Sequence, residues 1–185
     1  QGIAQILWPR HCVQETWGAR LADALDTRHI RRVFPKGTDP GLDSYSGFFD
    51  NGYARATGLG DFLRLAGVDE VYVLGLASEY CVKHTAQDAR KLGFHTFLIS
   101  DGCRGVEREP GDIERAIEEM RQAGVIILTG NALQARLSGK ELEPQHIAES
   151  KHLQLVRRAG WEFVQRRHAG GVVALVAVTD DERLL

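Results

Sequence analysis

The chain has 185 residues, of which 43% are hydrophobic and 26% are charged. This length suits one domain or slightly more, and this hydrophobic content is enough for a buried core, so a globally disordered chain is excluded. The 23 basic and 25 acidic residues nearly balance, which gives no sign of a nucleic-acid or membrane-surface partner.

The cysteine count and the two ends of the chain give further expectations. Three cysteines, Cys12, Cys81 and Cys103, are an odd number, which argues against a disulfide framework and favours a reducing compartment, the cytoplasm. No apolar run approaches the ~20 residues of a membrane-spanning helix. The chain begins at Gln1 instead of a methionine and ends at Leu185 in an apolar pair after a turn, so we expect a fragment truncated at both ends.

The first 18 residues show no hydrophobic period and are expected to form a structured loop. Trp8 precedes a proline, which pushes it towards an extended conformation. His11 and Cys12 are adjacent in sequence, which makes them a poor pair of metal ligands on their own. Taken alone, this stretch is explained by a packed tryptophan and a hydrogen-bonded histidine.

Residues 30–37 predict a short strand whose end is marked by Pro35 and Gly37. Lys36 lies at that end, and most lysines in such positions are solvated surface charges. A long loop rich in Gly, Asp and Ser follows, yet it also carries three aromatic residues, Tyr45 among them. Long loops with such residues are more often functional than idle.

Helix and strand patterns then alternate as far as residue 128. Near-continuous apolar strands between amphipathic helices indicate a parallel sheet covered on both faces, with right-handed crossovers. We therefore predict a three-layer α/β/α fold of the Rossmann-like kind. The predicted elements are a helix at 57–67, a strand at 70–75, a helix from Cys81 to Gly93, a strand at 94–100, a helix from Asp112 to Gly124 and a strand at 125–128.

The pattern changes after Gly130. Residues 131–152 are polar and predict a weak helix followed by a linker. Residues 153–185 show strand-like alternation and then a continuous apolar run, without helices between them. We predict an α/β domain at 1–130, a linker at 131–152 and a short β-rich segment at 153–185.

Cys81 combines the features of a reactive thiol. It follows a buried strand and opens a helix, where the helix dipole and the free N–H groups of the first turn favour an anion. Lys36 ends a second strand and would favour a thiolate if it lies close, because ligands and charges gather at the carboxyl ends of parallel strands. The N–H groups of Cys81 and Ala77 are candidates for an oxyanion donor pair. The bland alternative is a small buried hydrophobe, and no general base is obvious among His29, His84 and His95.

Five ordered segments resemble a bacterial nicotinamidase of the cysteine-hydrolase, or isochorismatase-like, family. Together they span about residues 1–130, and several motifs in series are more specific than any one of them. The segments are Trp8-Pro9-x-His11-Cys12-Val13-Gln14, Phe34-x-Lys36-Gly37, Asp43-Ser44-Tyr45-Ser46-Gly47-Phe48-Phe49-Asp50-Asn51-Gly52, Gly75-Leu76-Ala77-x-x-Tyr80-Cys81-Val82 and Asp101-Gly102-Cys103-Arg104-Gly105-Val106.

That family hydrolyses nicotinamide to nicotinate and ammonia with an Asp-Lys-Cys triad, a reaction of NAD salvage. The resemblance implies that Cys81 is the nucleophile, which forms a thioester, and that Lys36 stabilises its thiolate. It also implies a cis peptide bond between Leu76 and Ala77, which directs the N–H of Ala77, with that of Cys81, at the oxyanion.

The resemblance further implies that Trp8 and Tyr45 line the pyridine-ring pocket. It implies that His11 is one ligand of a divalent metal, zinc or iron, that holds the pyridine nitrogen. The family's triad Asp and its other metal ligands are expected upstream, so the domain would lack its first strand, and one imidazole does not hold a divalent ion firmly. We therefore expect an active full-length protein and an inactive fragment. The resemblance leaves a homo-oligomer open.

Other functions are also considered. Within the same fold, isochorismatases lack the nucleophilic cysteine, so Cys81 argues against them. Carbamoyl amidases keep the triad, and the Trp-Pro-x-His loop that begins at Trp8 favours a nicotinamidase instead.

The tail has a weaker resemblance, to the opening strands of a Nudix hydrolase of the ADP-ribose pyrophosphatase type. It rests on residues 161–181 and mostly on hydrophobic patterning, and a complete Nudix domain would bring Mg²⁺. A C-terminal hairpin packed on the main domain is the alternative for the tail. An inactive module assembled with a Nudix enzyme is the alternative for the whole protein.

Overall fold

The computed structural model describes residues 5–138 and the backbone of four later strands. No helix in this part of the chain is both long and apolar enough to cross a bilayer. The elements, in chain order, are α1 (Leu59–Leu65), β1 (Glu70–Leu76), α2 (Lys83–Lys91), β2 (His95–Arg104), α3 (Asp112–Gln122), β3 (Ile126–Leu128), α4 (Gly130–Leu137), β4 (Gln145–Glu149), β5 (Leu153–Arg158), β6 (Trp161–Arg166) and β7 (Val172–Ala177).

The main sheet contains four parallel strands in the order β3-β2-β1-β7. Residues that alternate along β1 point into two different cores. Val71 and Val73 join a cluster with residues of α1, α2 and α3. Tyr72 joins Phe97 in a second cluster, against Leu133 of α4. Helices therefore cover both faces of the sheet, which confirms the predicted three-layer α/β/α fold.

The strand predicted at residues 30–37 is wrong. In the structure this segment joins neither sheet. Pro35 lacks the backbone N–H that a strand ladder needs. Phe34 packs instead on Phe62 of α1, with ring centroids 5.3 Å apart. The apolar pattern of the segment thus reflects packing against a helix and not pairing with a strand.

The later strands fall into two groups. Strands β4, β5 and β6 form a separate antiparallel sheet, in agreement with the predicted β-rich segment. Strand β4 lies within the stretch predicted as a linker, because an edge strand can pair through its backbone without an apolar pattern. Strand β7 pairs in parallel with β1, from Glu70 opposite Val172 to Gly75 opposite Ala177. The sequence predicts a domain without its first strand, which would leave one edge of β1 without a partner. Strand β7 occupies this edge.

The division of the chain into domains stays a prediction. The Nudix-type tail and its Mg²⁺ also stay predictions, because the side chains at 153–185 lie outside the described residues. The same holds for the cytoplasmic location and for the state of assembly.

Candidate active site

Lys36 and Cys81 meet in the structure, although they lie far apart in the sequence. The Nζ of Lys36 lies 3.2 Å from the Sγ of Cys81 and donates a second hydrogen bond of 2.7 Å to the carbonyl of Ser44. Both side chains are half-buried. Within residues 5–138, no carboxylate lies within ion-pair distance of this ammonium group. The ammonium group therefore faces the thiol and one backbone carbonyl.

The extended segment before α1 delivers Lys36 to this position. Phe34 packs on α1, and the guanidinium of Arg32 lies 4.7 Å from the centre of the Phe34 ring. Gly37 has a φ of +62°, a conformation that glycine adopts without steric cost. The chain can therefore turn away immediately after the lysine.

Cys81 lies in a π-helical turn, Ser78–Val82, between β1 and α2. The N–H of Val82 donates a 3.1 Å hydrogen bond to the carbonyl of Ala77, five residues earlier. The peptide bond between Leu76 and Ala77 is cis. Single π-helical turns are rare and occur frequently at functional sites. The thiol thus lies directly before α2, although the turn that carries it is wider than the predicted α-helix.

The loop at 43–57 is ordered by its own polar groups and by α2. Ser44 is buried, and its Oγ donates to the carbonyl of Phe49 at 3.0 Å. The N–H of Gly47 donates to Oγ1 of Thr85 on α2 at 2.9 Å. These bonds hold the Ser44 carbonyl in place as the acceptor for the lysine ammonium group.

An aromatic group lies beside the thiol turn. The Nε1–H of Trp8 donates to the hydroxyl of Tyr45 at 3.1 Å. The ring of Tyr80, the residue before Cys81, meets the ring of Trp8 edge-on at 4.8 Å and lies 5.6 Å from that of Tyr45. Burial raises the pKa of Tyr45, which keeps its phenol neutral and able to accept this bond. The two predicted ring-binding residues therefore lie together, on a third aromatic residue that adjoins the nucleophile.

His84 also borders this group. His84 lies three residues beyond Cys81, and the sequence predicts that it points away from the thiol. In the structure its ring centroid is 5.4 Å from that of Tyr45. Burial, aided by the charge of Lys83, lowers the pKa of His84. The imidazole is therefore neutral at neutral pH and packs as an aromatic ring.

A cavity of about 590 Å³ borders the thiol on the side of α1. Its lining includes Lys36 and Cys81, and most of the remaining residues are apolar, among them Leu74 and Leu76. This volume is within the range of small-molecule sites. The aromatic group around Tyr45 lies outside this lining, so the thiol lies between two different environments.

The described residues do not fit a divalent metal site. His11 is exposed, and its Nδ1 lies 2.6 Å from the carbonyl of Pro9. Among residues 5–138, no three His, Cys, Asp or Glu side chains are grouped so that they could hold a metal ion. A single imidazole leaves most of a tetrahedral coordination shell unfilled. The ligand role of His11 stays a prediction.

Residues 3–132 match the isochorismatase domain, which is more than half of the chain. The chain belongs to the isochorismatase family. A nicotinamidase from Escherichia coli (strain K12) is 48% identical over 128 residues, which are 69% of this chain and 60% of that protein. The chain spans less than two thirds of the length of this relative, so the activity of the whole protein is a matter for proposal.

Solved structures give the same picture. The Acinetobacter baumanii nicotinamidase and pyrazinamidase has a TM-score of 0.67 and 39% identity, over 70% of this chain and 62% of that one. The Pyrococcus horikoshii pyrazinamidase in complex with zinc has a TM-score of 0.58 and 41% identity, over 66% and 63% of the two chains. These values agree with the observed α/β fold and its parallel sheet.

Sequence reasoning missed four contributors to the site. Ser44 acts through its carbonyl and Thr85 through its hydroxyl, and neither contact leaves a signal in the sequence. Tyr80 directly precedes Cys81, and its position in a helix-starting turn gives no hint that its ring contacts Trp8. Glu79 stands at an unspecified position of the motif, two residues before Cys81.

Proposed function

We propose that the protein hydrolyses nicotinamide to nicotinate and ammonia, a reaction of NAD salvage, with Cys81 as the nucleophile. One observation carries this proposal. The Lys36 ammonium lies 3.2 Å from the Cys81 sulfur at the start of α2, in a chain closely similar to nicotinamidases. A thiolate held by a cation at a helix start is the arrangement that acyl transfer to cysteine requires.

The proposed reaction has two halves. The Cys81 thiolate attacks the amide carbon, and the N–H groups of Ala77 and Cys81 stabilise the resulting oxyanion. The C–N bond then breaks, the nitrogen takes a proton and leaves as ammonia, and a thioester remains. Water attacks this thioester, the C–S bond breaks, and nicotinate and the Cys81 thiolate are released with two protons, one of which replaces the proton that the leaving nitrogen took. The Lys36 charge holds the sulfur as a thiolate before the first half and after the second.

The proposed ring-binding surface consists of Trp8 and Tyr45. Their mutual hydrogen bond fixes the two rings relative to each other, and both rest on Tyr80. A planar heteroaromatic ring is bound well by aromatic side chains in offset or edge-on packing. This surface would orient the amide towards the thiol without contributing to bond cleavage.

We further propose that the 185-residue chain alone does not turn over nicotinamide. Proton transfer to the leaving nitrogen needs a general acid or base. Within residues 5–138, no carboxylate lies at Lys36, and His84 packs within the aromatic group. The alignment with the E. coli relative covers 60% of that protein, so the remainder of the relative lies outside the aligned region. We therefore expect the isolated chain to release no ammonia from nicotinamide above a buffer control.

A chimera tests the proposed activity. The chimera joins this chain to the segments of the E. coli nicotinamidase that lie outside the aligned region, each at the position it occupies in that relative. Ammonia release from nicotinamide is then measured. We expect activity in the chimera and its loss by ~10³-fold or more in the Cys81→Ala chimera. The Cys103→Ala chimera is the matched control, because Cys103 is a buried thiol whose pKa is raised by burial. Equal activity with and without Cys81 would refute the proposal.

A half-reaction tests the same residues in the isolated chain. The thiol of Cys81 can add to pyridine-3-carboxaldehyde, forming an S–C bond while the thiol proton moves to the carbonyl oxygen. Carbon-13 NMR of the labelled aldehyde carbon reports this addition as a change from a carbonyl to a tetrahedral carbon. We expect a saturable signal in the 185-residue chain and none in Cys81→Ala.

A further inference from the structure

A buried carboxylate lies two residues before the nucleophile. Glu79 has a relative exposure of 6%. Its Oε1 accepts hydrogen bonds from the N–H groups of Val106 and Glu107, at 2.8 and 2.7 Å. Its Oε2 is buried and makes no hydrogen bond within residues 5–138. A buried carboxylate is costly unless it is well bonded, so these two bonds set where Glu79 lies.

The backbone at Gly105 is shaped around this carboxylate. A Cβ at position 105 would lie 2.6 Å from Oε2 of Glu79 and 2.5 Å from Cγ1 of Ile113. These separations are shorter than real carbon contacts. The loop at 105–107 therefore packs directly on Glu79, and only glycine permits this approach.

The loop leads back to the proposed ring-binding surface. Its next residue, Arg108, places its guanidinium 5.8 Å from the centre of the Trp8 ring. Trp8 in turn packs edge-on against Tyr80, which lies between Glu79 and Cys81 in the chain. The contacts therefore form a closed circuit from Glu79 through the loop and Trp8 back to the thiol turn.

We propose that Glu79 is a positioning residue that locks the Cys81 turn and the Trp8 ring into one arrangement through its two hydrogen bonds to the loop at 105–107. The role rests on the proposed function in one respect, since positioning matters only if an aromatic amide must be held at a defined distance from the thiol. The contacts that support it are independent of that function. The reactivity of the thiol and the hydrogen exchange of the loop can both be measured without any substrate.

Three variants separate positioning from bulk stability. Glu79→Leu removes both acceptor bonds, whereas Glu79→Gln keeps one carbonyl oxygen that can accept from both N–H groups. Gly105→Ala presses on Glu79 from the other side, and the added Cβ fits only if the Glu79 carboxylate and the Ile113 side chain both move from their present positions. Tyr72→Phe is the control, because it removes a buried hydroxyl on the opposite face of the sheet.

The experiment uses the 185-residue chain and three readouts. These are the affinity for pyridine-3-carboxaldehyde, the rate of Cys81 alkylation by iodoacetamide followed by peptide mass spectrometry, and amide hydrogen exchange at Val106 and Glu107. We expect Glu79→Leu and Gly105→Ala to weaken aldehyde binding by about tenfold, since misplacement of reacting groups is costly. We also expect both variants to alter the alkylation rate, and exchange at both amides to speed up in Glu79→Leu. Glu79→Gln should stay within about twofold of the native chain in all three readouts.

The outcomes are decisive in either direction. Unchanged aldehyde affinity and alkylation in a folded Glu79→Leu chain would overturn the proposal, as would an equal loss in Tyr72→Phe. If Glu79→Leu does not fold, Gly105→Ala decides, and native values there overturn the proposal. If the native chain itself does not bind the aldehyde, the proposed function fails. Alkylation and hydrogen exchange then still decide the role of Glu79.

Discussion

The two ends of β1 each hold a basic side chain, but in different surroundings. At the amino end, Arg136 of α4 donates to Glu70 and to the hydroxyl of Tyr72, which itself donates to Glu70 at 2.7 Å. At the carboxyl end, Lys36 donates to a carbonyl and to the Cys81 thiol, and within the described residues it has no carboxylate partner.

This difference separates a cation that is paired with a carboxylate from one that, within the described residues, contacts only a carbonyl and a thiol. The charge of Arg136 is compensated by Glu70, and its guanidinium lies 4.6 Å from the centre of the Phe97 ring. Both contacts of this cation are therefore made within the protein. Within residues 5–138 the charge of Lys36 has no carboxylate partner, and its neighbours are the Ser44 carbonyl and the Cys81 sulfur. An uncompensated cation costs stability, and such groups are typical of functional sites.

Removal of the balanced cation should have the largest effect on stability. Arg136→Met leaves Oε1 of Glu70 and the Tyr72 hydroxyl oxygen without the donor that each has in Arg136, so we expect a loss of about 2 kcal/mol in the free energy of unfolding. The rate of Cys81 alkylation should not change. Urea denaturation checks the first expectation. Arg121→Met, which breaks an exposed ion pair with Glu118, is the control and should cost less than about 0.5 kcal/mol.

Removal of the uncompensated cation should show the reverse. In Lys36→Met the thiol loses its cation, and we expect iodoacetamide to alkylate Cys81 about tenfold more slowly at pH 7, with little loss of stability. Lys91→Met is the matched control, because Lys91 is paired with Asp88 on the same helix. A Lys36→Met chain that reacts at the native rate would erase the distinction between the two ends of β1.

Tyr72, at the amino end of β1, should also make the free energy of unfolding fall at alkaline pH. Burial and the bond to Glu70 raise the pKa of Tyr72 to about 12, above its usual value near 10. A raised pKa stabilises the fold fully below about pH 10, and this contribution is lost as the pH rises towards 12. We expect Tyr72→Phe to be less stable than the native chain at pH 8. The gap should narrow steadily between pH 10 and 12 in urea titrations.

The smallest effect is expected from His84, beside the carboxyl end. Burial lowers the pKa of His84 below its usual value near 6.5. The neutral imidazole therefore contributes stability at pH values above 6.5, and this contribution is lost as the pH falls below that value. We expect His84→Gln to flatten the decline in Tm between pH 7.5 and 5.5. A decline as steep as that of the native chain would mean that another group controls stability there.

Much of the fold could be predicted from the sequence. The failures concern which elements pack or pair with each other, because that depends on residues far apart in the chain. Apolar runs and glycine breaks located β1, β2, β3 and the helices between them to within a few residues. The segment with Phe34 and Lys36 was predicted as a strand, because a short apolar run looks the same whether it packs on a helix or pairs in a sheet. The apolar run that forms β7 was predicted to belong to a β-rich segment, but its partner β1 lies about 100 residues away, and no local pattern encodes that pairing.

For the site, the sequence by itself determined which residue types are present, the strand-to-turn-to-helix context of Cys81, and the resemblance that links it with Lys36, Trp8 and Tyr45. These are properties of local periodicity and of motif order. The tertiary structure alone decided that the Lys36 ammonium reaches the sulfur, that Tyr80 joins the aromatic group and that Glu79 connects the thiol turn to a distant loop. These contacts depend on backbone carbonyls, N–H groups and the direction of side chains, which become defined only when separate elements pack together.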